Sequence, residues 1–334
     1  MNKPALSFGM LLLTLSAIPC THSLACTIIS ASFGDTVLYG NNEDWNLPNT
    51  FIWFVPAQGD AHGYCYVGHD ENNHQRDGFP QGGMNDQGLC FDYNALPPST
   101  FGPHPEKSPY PDDYHGPTYF MERYSSMSEI IDFYQRVGIN YTTTIAYQLH
   151  WADAAGAAAV VSVGPDGDWA ITDKANASYL ISTNWNRANP ASGDSNCWRY
   201  RTAERMLENI TQEEQLTVDA FRRILDATHQ EGQYPTIYSN IFDLVNREIY
   251  LYYNHNFEEF VKINLEEELA KGAHRFKIAD LFRYQVSKVP RASSSSSSPS
   301  VSTSAAASAK GFGVVITTII LAWIGVIVLR RRQN

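Results

Sequence analysis

The sequence predicts an α+β fold made of antiparallel strands and a smaller number of helices. Short apolar and β-branched runs recur along the chain, and Gly, Asn, Asp or Pro turns separate them. Two segments, 126–138 and one opening at Thr217, instead carry apolar residues at helical spacing behind a capping residue. A hydrophobic fraction of 43% supplies the core that such layers need.

Composition excludes several function classes. The net charge of −11 gives no general attraction for nucleic acid, so no nucleic-acid partner is expected. His-rich tracts and paired cysteines at metal-ligand spacing do not occur, so neither a metal nor another cofactor is predicted. The chain of 334 residues has room for one large domain or two small ones.

Residues 1–25 have the pattern of a signal peptide. Lys3 supplies the positive start, residues 10–18 form an apolar core, and Ser23-Leu24-Ala25 is a small-x-small cleavage site. Cleavage there would make Cys26 the first residue of the mature protein.

The stretch after Cys26 predicts a β-hairpin. Apolar, β-branched runs at 27–33 and 36–39 flank Gly34-Asp35, which suits a two-residue turn. With that turn, Cys26 lies opposite Glu43 and beside Asp44. A bulge at Asn41-Asn42 is left open, and it would decide which of these two carboxylates faces the sulfur.

A terminal cysteine brings a nucleophile and a base together in one residue. Its α-amine has a reference pKa of about 7.7–8.0 and its thiol one of about 8.5, so the amine can accept the thiol proton near neutral pH. A nearby carboxylate can orient the amine. Two other roles stay open for Cys26, a structural cysteine and a lipid anchor, although Ser23 stands where a lipoprotein signal has an aliphatic residue.

The next segment is predicted to be mostly strand, up to residue 95. Residues 51–55 form an apolar strand, 69–76 a polar loop that is solvated rather than metal-binding, and 83–88 a turn leading into 89–91. Residues 96–117 are rich in Pro, Gly, His and Tyr without a period, which predicts a long loop. This loop is either an active-site cover or a simple insertion.

The remaining elements alternate between strands and helices. A capping box at Ser126 opens a helix that runs to Gly138, Asp194 or Ser195 is expected to cap a second, and Thr217 opens a third. Strands are predicted at 147–153, 157–163, 169–172, 179–184, 236–244 and 248–253, with a short helix at 265–271.

The C-terminal part has the pattern of a membrane tether. Residues 291–310 are a Ser- and Ala-rich linker, 311–329 are uncharged and long enough to span a bilayer, and the tail 330–334 begins with three arginines. The sequence therefore predicts a domain at 26–290, outside the cell, on a single-pass cell-membrane anchor with a cytoplasmic tail. Homo-oligomerisation is left open, as is a disulfide among Cys65, Cys90 and Cys197.

Several motifs together resemble those of one enzyme group. The motifs are Cys26-Thr27, residues 40–45 (Gly-Asn-Asn-Glu-Asp-Trp), residues 83–89 with Asn94 downstream, residues 182–185 (Ser-Thr-Asn-Trp), and the segment that opens with Arg199-Tyr200. In this order, behind a cleavable segment, they resemble the choloylglycine hydrolase and penicillin V acylase group of N-terminal nucleophile (Ntn) hydrolases. Isopenicillin N acyltransferase and acid ceramidase are related branches.

The resemblance implies a four-layer αββα sandwich and cleavage of a linear, non-peptide C–N amide through a thioester. By this resemblance Cys26 is the nucleophile, Asp44 holds the amine, Asn184 donates to the oxyanion with help from Asn94, and Arg199 steadies the charged cluster. Each of the last four also has a purely structural interpretation: a cap, a loop-shaping amide or a helix-surface ion pair.

Two alternatives to amide hydrolysis follow from the same residues. An acyltransferase would pass the thioester to an amine instead of water, and a non-catalytic surface binding protein would keep the tether without needing a free terminal cysteine. The group's Arg after Gly40 is Asn41 here, which removes one cation near the thiol. The small-molecule N-acyl amide that the resemblance implies as substrate is not identified, although aromatic residues at 91–120 favour an apolar acyl chain.

Overall fold

The computed structural model describes residues 26–69, 79–189 and 197–286, which all belong to one structural unit. The predicted signal peptide, Ser/Ala-rich linker, membrane span and tail lie outside these residues, as does most of the predicted loop 69–76. Within the described ranges, no helix combines the length and apolarity needed to cross a bilayer.

The described part contains strands and helices in the following order. They are β1 Thr27–Phe33, β2 Thr36–Asp44, β3 Thr50–Val55, β4 Tyr64–His69, β5 Phe79–Asn85, β6 Cys90–Phe101, α1 Pro117–Arg123, α2 Met127–Arg136, β7 Thr143–Ala152, β8 Ala158–Val163, β9 Trp169–Asp173, β10 Tyr179–Ser182, α3 Trp198–Leu207, α4 Val218–Thr228, β11 Thr236–Asp243, β12 Glu248–Tyr253, β13 Asn256–Asn264, α5 Leu265–Leu269, β14 His274–Lys277 and α6 Ile278–Val286.

The strands form two sheets. The first sheet has the order β10-β1-β2-β11-β12-β13, and the second has β14-β3-β4-β5-β6-β7-β8-β9. All the strand pairs in both sheets are antiparallel. The α+β class predicted from the hairpins is therefore confirmed.

The core residues divide the domain into four layers. One cluster joins residues of both sheets, including Ile28 and Tyr39 from the first and Phe54 from the second, so the sheets pack face to face. A second cluster packs α1 and α2 on the outer face of the second sheet, and a third packs α3 and α4 on the outer face of the first. The layers thus run helix, sheet, sheet, helix.

The polar interior between the sheets includes a buried histidine. His150 of β7 is fully buried, and its two ring nitrogens lie 2.9 Å from the hydroxyls of Ser30 and Ser182, which belong to the opposite sheet. Burial, with a smaller contribution from Arg187, lowers the pKa of His150 to about 3, so the ring is neutral. This triplet ties the two sheets together.

The first hairpin has the predicted register. Phe33 pairs with Thr36 and Thr27 pairs with Asn42. Gly34 at the turn has φ +55°, a conformation that glycine adopts without strain. The bulge left open at Asn41-Asn42 does not occur, because β2 pairs with β1 without interruption. The irregularity lies on the other neighbouring strand, between Thr236 and Tyr238 of β11.

The predicted loop at 96–117 is wrong at both ends. Strand β6 continues to Phe101, and its register against β7 shifts between Ala95 and Ser99, around Pro97 and Pro98. Prolines mark loops in a sequence because they cannot donate to a ladder, but a bulge accommodates them. At the other end, Pro117 occupies the first position of α1, where its missing N–H costs nothing.

Other strands and helices were not predicted or have different ends from those predicted. Strand β5 extends to Asn85, so the predicted turn at 83–88 begins only at Asp86, and His69 ends β4 instead of opening a loop. Helix α3 has Cys197 in the N-cap position, and the expected caps Asp194 and Ser195 lie outside the described residues. Strands β4, β13 and β14 and helix α6 had no sequence signal strong enough to separate them from their surroundings.

Helices α2 and α4 begin where their capping residues predicted. The Glu129 carboxylate accepts hydrogen bonds from the Ser126 backbone N–H at 3.0 Å and from its hydroxyl at 2.7 Å. The Thr217 hydroxyl accepts one from the Ala220 N–H at 3.1 Å. Capping side chains satisfy donors that the first helical turn leaves open, which makes these starts readable from sequence.

Candidate active site

Cys26 lies immediately before β1, one of the central strands of the first sheet, and only 6% of its surface is exposed. Its carbonyl oxygen accepts a hydrogen bond from Arg199 Nη1 at 2.8 Å and a longer one from Asn94 Nδ2 at 3.4 Å. These contacts come from helix α3 and from strand β6 of the opposite sheet. Three layers of the domain therefore meet at this residue.

Neighbouring carboxylates on β2 point to opposite faces of the first sheet, because side chains alternate along a strand. Glu43 faces the second sheet, and its Oε2 lies 3.5 Å from Cys26 Sγ. Asp44 faces the helices, where it accepts hydrogen bonds from Thr236 Oγ1 and from Gln230 Nε2 at 2.9 Å. The strand alternation, without a bulge, decides that Glu43 is the carboxylate at the sulfur.

Arg199 links the predicted site residues to one another. This buried side chain of α3 donates from Nη1 to Thr27 Oγ1 at 3.0 Å and from Nη2 to Asn184 Oδ1 at 3.0 Å, and Nη1 lies 3.7 Å from Asp44 Oδ2. Together with its bond to the Cys26 carbonyl, these contacts make one guanidinium the centre of the cluster. Planar Arg is suited to several directed contacts at once.

Two asparagine side chains complete the cluster. Asn184 follows the end of β10 and donates from Nδ2 to the Ala95 carbonyl at 2.9 Å. Asn94 of β6 accepts at Oδ1 from Gln148 Nε2 at 3.3 Å. Each amide nitrogen carries two hydrogens, so a second N–H remains on each for another acceptor. Cys26, Asn94, Asn184 and Arg199 are joined by hydrogen bonds, and the ion pair between Arg199 and Asp44 adds Asp44 to this network.

Burial and neighbouring charge set the protonation of the site. Burial raises the pKa of the Cys26 thiol well above its usual value, and the negative charges of Glu43 and Asp44 raise it further. Burial also raises the pKa of Asp44, although Arg199 and the Thr236 hydroxyl oppose this. The resting side chain of Cys26 is therefore a thiol, and its proton needs a nearby acceptor before the sulfur can act as a nucleophile.

Several groups at the site were not singled out from the sequence. His69 and Gln81 of the second sheet lie within hydrogen-bond distance of Glu43, and burial, together with the charge of Glu43, raises the pKa of Asp92. Gln148 supports the segment around Asn184 by donating to the carbonyls of Thr183 at 2.7 Å and Trp185 at 3.0 Å. They come from strands far apart in sequence. No local motif could have grouped them, although the register of the first hairpin did predict Glu43 opposite Cys26.

The position that departs from the group's motif is also buried. Asn41 faces the second sheet and pairs across the ladder with Asn240. The side-chain polar atoms of both residues have no hydrogen-bond partner among the described residues. The cation close to Cys26 comes instead from Arg199.

The remaining cysteines and the acidic groups fit the cofactor-free expectation without testing it. Cys65, Cys90 and Cys197 carry free thiols and form no disulfide within the described chain. Over the same residues, no group of three or more His, Cys, Asp or Glu side chains has a metal-binding arrangement.

No protein-family model matches the sequence, and no curated protein matches it. Solved structures do resemble it. A variant of the conjugated bile acid hydrolase from Clostridium perfringens has a TM-score of 0.58 and 17% identity, over 75% of this chain and 97% of that one. Penicillin V acylase from Agrobacterium tumefaciens has a TM-score of 0.56 and 13% identity, over 75% of this chain and 91% of that one. At these identities the likeness establishes a shared fold.

Proposed function

We propose that this chain is an Ntn hydrolase that cleaves a linear, non-peptide C–N amide bond with Cys26 as its nucleophile. One observation carries the proposal: a cysteine directly behind a predicted signal-peptidase site is linked by hydrogen bonds and one ion pair to Asp44, Asn94, Asn184 and Arg199. The shared fold supports it, since the two solved structures carry the names of a conjugated bile acid hydrolase and a penicillin acylase. The four-layer arrangement agrees with the αββα sandwich of Ntn hydrolases.

The reaction proceeds through a thioester. The Cys26 sulfur attacks the amide carbonyl, the C–N bond breaks, and the leaving nitrogen takes up the proton that the thiol gave away. Water then splits the thioester, which releases a carboxylic acid and restores the thiol. Asn184, assisted by Asn94, donates to the oxyanion of both tetrahedral intermediates, and Arg199 offsets the negative charge that accumulates around Cys26.

Processing creates one acceptor for the thiol proton. Removal of residues 1–25 frees the α-amine of Cys26, whose reference pKa of about 7.7–8.0 lets it take a proton near neutral pH. Asp44 holds this amine. Intact-mass measurement of the active protein is expected to give a chain that begins at Cys26. An active enzyme that retains even one residue before Cys26 would contradict this part of the proposal.

The predicted targeting segments give the proposed enzyme its location. The signal peptide sends the domain 26–290 across the membrane, and the apolar segment 311–329 with its following arginines anchors it from the C-terminal side. The active site then faces outward, joined to the anchor by the Ser- and Ala-rich segment of about 20 residues. Substrates would be small N-acyl amides outside the cell.

A panel of N-acyl amides, incubated with the full-length protein and with Cys26→Ala, tests the function. Bile-acid conjugates, penicillins, N-acyl homoserine lactones, ceramides and N-acylated amino acids cover the acyl classes that the motifs leave open. Turnover of at least one substrate by the wild-type protein, lost in Cys26→Ala, is the expected result. Turnover that survives in Cys26→Ala would eliminate Cys26 as the nucleophile. Products that carry an added amine would identify acyl transfer instead of hydrolysis.

A further inference from the structure

Glu43 lies outside the network around Arg199 and has a separate set of partners. It is fully buried between the two sheets, and its carboxylate touches groups from three other strands or strand ends. Oε2 lies 3.5 Å from Cys26 Sγ, and Oε1 lies 3.0 Å from His69 Nε2 and 3.1 Å from Gln81 Nε2. A buried carboxylate in direct contact with a nucleophilic sulfur is positioned for proton transfer.

The two carboxylate oxygens of Glu43 have different hydrogen-bond partners. His69 and Gln81 both approach Oε1, which fixes the plane and direction of the carboxylate. Oε2 is left to the thiol, whose S–H donates to it. His69 is only 2% exposed, so solvent does not compete strongly for this arrangement.

The surrounding charges favour a transfer that creates no new net charge. The ionisable groups that face Glu43 are Asp92 from β6, Tyr238 from β11 and His69 from β4, with Asp44 next to it on β2 and Arg199 beyond Asp44. Arg199 is the one arginine in this set, against three carboxylates. If the thiol lost its proton to bulk solvent, another anion would be added to this acidic, buried group. A proton that passes from sulfur to Glu43 leaves the charge of the pair unchanged.

We propose that Glu43 is a further catalytic residue that accepts the thiol proton of Cys26, with His69 and Gln81 as positioning residues. The S–H bond breaks as sulfur uses that electron pair to form the C–S bond, and the proton forms an O–H bond on Glu43 Oε2. The resulting carboxylic acid returns the proton to the leaving nitrogen when the C–N bond breaks. The inference rests on the proposed function only in taking Cys26 as the nucleophile, and it adds Glu43 beside the terminal amine as a proton acceptor.

Glu43→Gln tests the inference because it keeps the shape of the side chain and removes the capacity to accept a proton. The measurement is the rate at which iodoacetamide labels Cys26 in the full-length, processed protein, followed by mass spectrometry, which requires no substrate. We expect labelling at neutral pH to fall by about tenfold or more, since a positioned base contributes about 10²–10⁴-fold to proton transfer. Thermal denaturation of both proteins checks that the fold is retained.

The sign of the change separates the competing explanations. A negative charge that only repels the thiolate would make Glu43→Gln react faster than the wild-type protein, and a terminal amine acting alone would leave the rate unchanged. Either result overturns the inference. Asp92→Asn is the matched control, because it removes a second buried carboxyl group that has no described contact with the sulfur; its labelling rate is expected not to fall.

The pH dependence of labelling gives an independent readout. With Glu43 as acceptor, the labelling rate of the wild-type protein depends on the protonation of Glu43 as well as on that of the sulfur. Glu43→Gln is therefore expected to change the shape of the pH profile, and a profile of unchanged shape in the folded variant would contradict the inference. If Glu43→Gln does not fold, His69→Phe takes its place, and its labelling rate should fall by a smaller factor because phenylalanine has no donor for Oε1. An unchanged rate and pH profile in a folded His69→Phe would then contradict the arrangement.

The same experiments keep this inference apart from the proposed function. Turnover that requires Cys26 but is indifferent to Glu43→Gln would leave the amide hydrolase standing and remove Glu43 from its mechanism. Turnover in Cys26→Ala would remove the proposed function whatever the labelling rates are.

Discussion

At the residue scale, one arginine and two adjacent acids organise the site. Arg199 reaches the Cys26 carbonyl, Thr27 and Asn184 with its two terminal nitrogens and approaches Asp44. Glu43 and Asp44 are chain neighbours, yet they lie on opposite faces of a strand and have different partners. The buried guanidinium compensates the helix-side acid, and the acid between the sheets is left to the thiol.

Asn184→Ala is expected to lower kcat by about 10²–10³-fold with little change in KM, because a lost oxyanion donor acts mainly in the transition state. Asn184→Asp should be at least as poor, since a carboxylate repels the oxyanion. Steady-state kinetics on any substrate found in the amide panel measures both. Near-normal kcat in a folded Asn184→Ala would exclude the oxyanion role, and a change in KM alone would move Asn184 to substrate binding.

His150 makes the stability of the fold depend on pH. Its pKa is about 3 in the folded protein against an ordinary value of 6.5, so the unfolded chain takes up a proton first as the pH falls. The stabilisation is therefore complete above pH 6.5 and is lost progressively between pH 6.5 and 3. At pH 5 the loss from this residue is about 2 kcal/mol.

Urea denaturation of the wild-type protein and of His150→Gln at pH 7 and pH 5 measures this effect. Glutamine does not titrate, so the free energy of unfolding should fall by about 2 kcal/mol less in the variant than in the wild-type protein. Equal losses in the two proteins would show that His150 is not the responsible group.

At the scale of single elements, Cys26, the proposed nucleophile, lies at the start of the first hairpin, and α4 supports this hairpin from the helix side. Phe221 and Leu225 of α4 pack in the core cluster that covers this face of the first sheet. Asn42 of β2 also donates from Nδ2 to the Leu225 carbonyl at 2.8 Å. The position of α4 therefore helps to fix the position of β2 and of its two acidic residues, Glu43 and Asp44.

Thr217→Ala is expected to lower the free energy of unfolding by about 1 kcal/mol, the usual cost of losing a helix N-cap. The Thr217 hydroxyl accepts from the Ala220 N–H, and alanine leaves that donor without its side-chain partner. Chemical denaturation measures the change, with Thr217→Ser as the control that keeps the hydroxyl. A loss of the same size in Thr217→Ser would show that the methyl group, not the cap, is responsible.

At the scale of the whole molecule, the proposed tether and the folded domain differ in amino-acid composition. The last described helix, α6, contributes Ile278 and Phe282 to the core between the sheets. The Ser- and Ala-rich segment 291–310 has no apolar run with which to extend that core.

A chain that ends at Pro290 is therefore expected to be folded, soluble and as active as the full-length protein. Size-exclusion chromatography, thermal denaturation and the amide panel measure these three properties. Truncation at Lys277 is the control: it removes α6 with its buried Ile278 and is expected to unfold the domain. Unfolding of the chain ending at Pro290 would show that the tail belongs to the domain.

Local signals in the sequence were sufficient for much of this fold. The turn at Gly34-Asp35 fixed the hairpin register, and the capping residues Ser126 and Thr217 fixed two helix starts, because each of these rests on contacts within a few residues. Strands β4, β5 and β13 were missed or blurred, since their stability comes from pairing with distant segments, and β6 continued through two prolines that a bulge accommodates.

From the sequence alone came the predicted cleavage site before Cys26, the pairing of Cys26 with Glu43 across a hairpin, and the order of the site motifs. Only the tertiary structure decided which groups meet there. Arg199 arrives from a helix in one outer layer, and His69, Gln81 and Asp92 arrive from three strands of the opposite sheet. Strand alternation and turn geometry can be read from the sequence because they depend on residues close together in the chain. The packing of two sheets brings together residues far apart in the chain, and no local pattern shows that they are in contact.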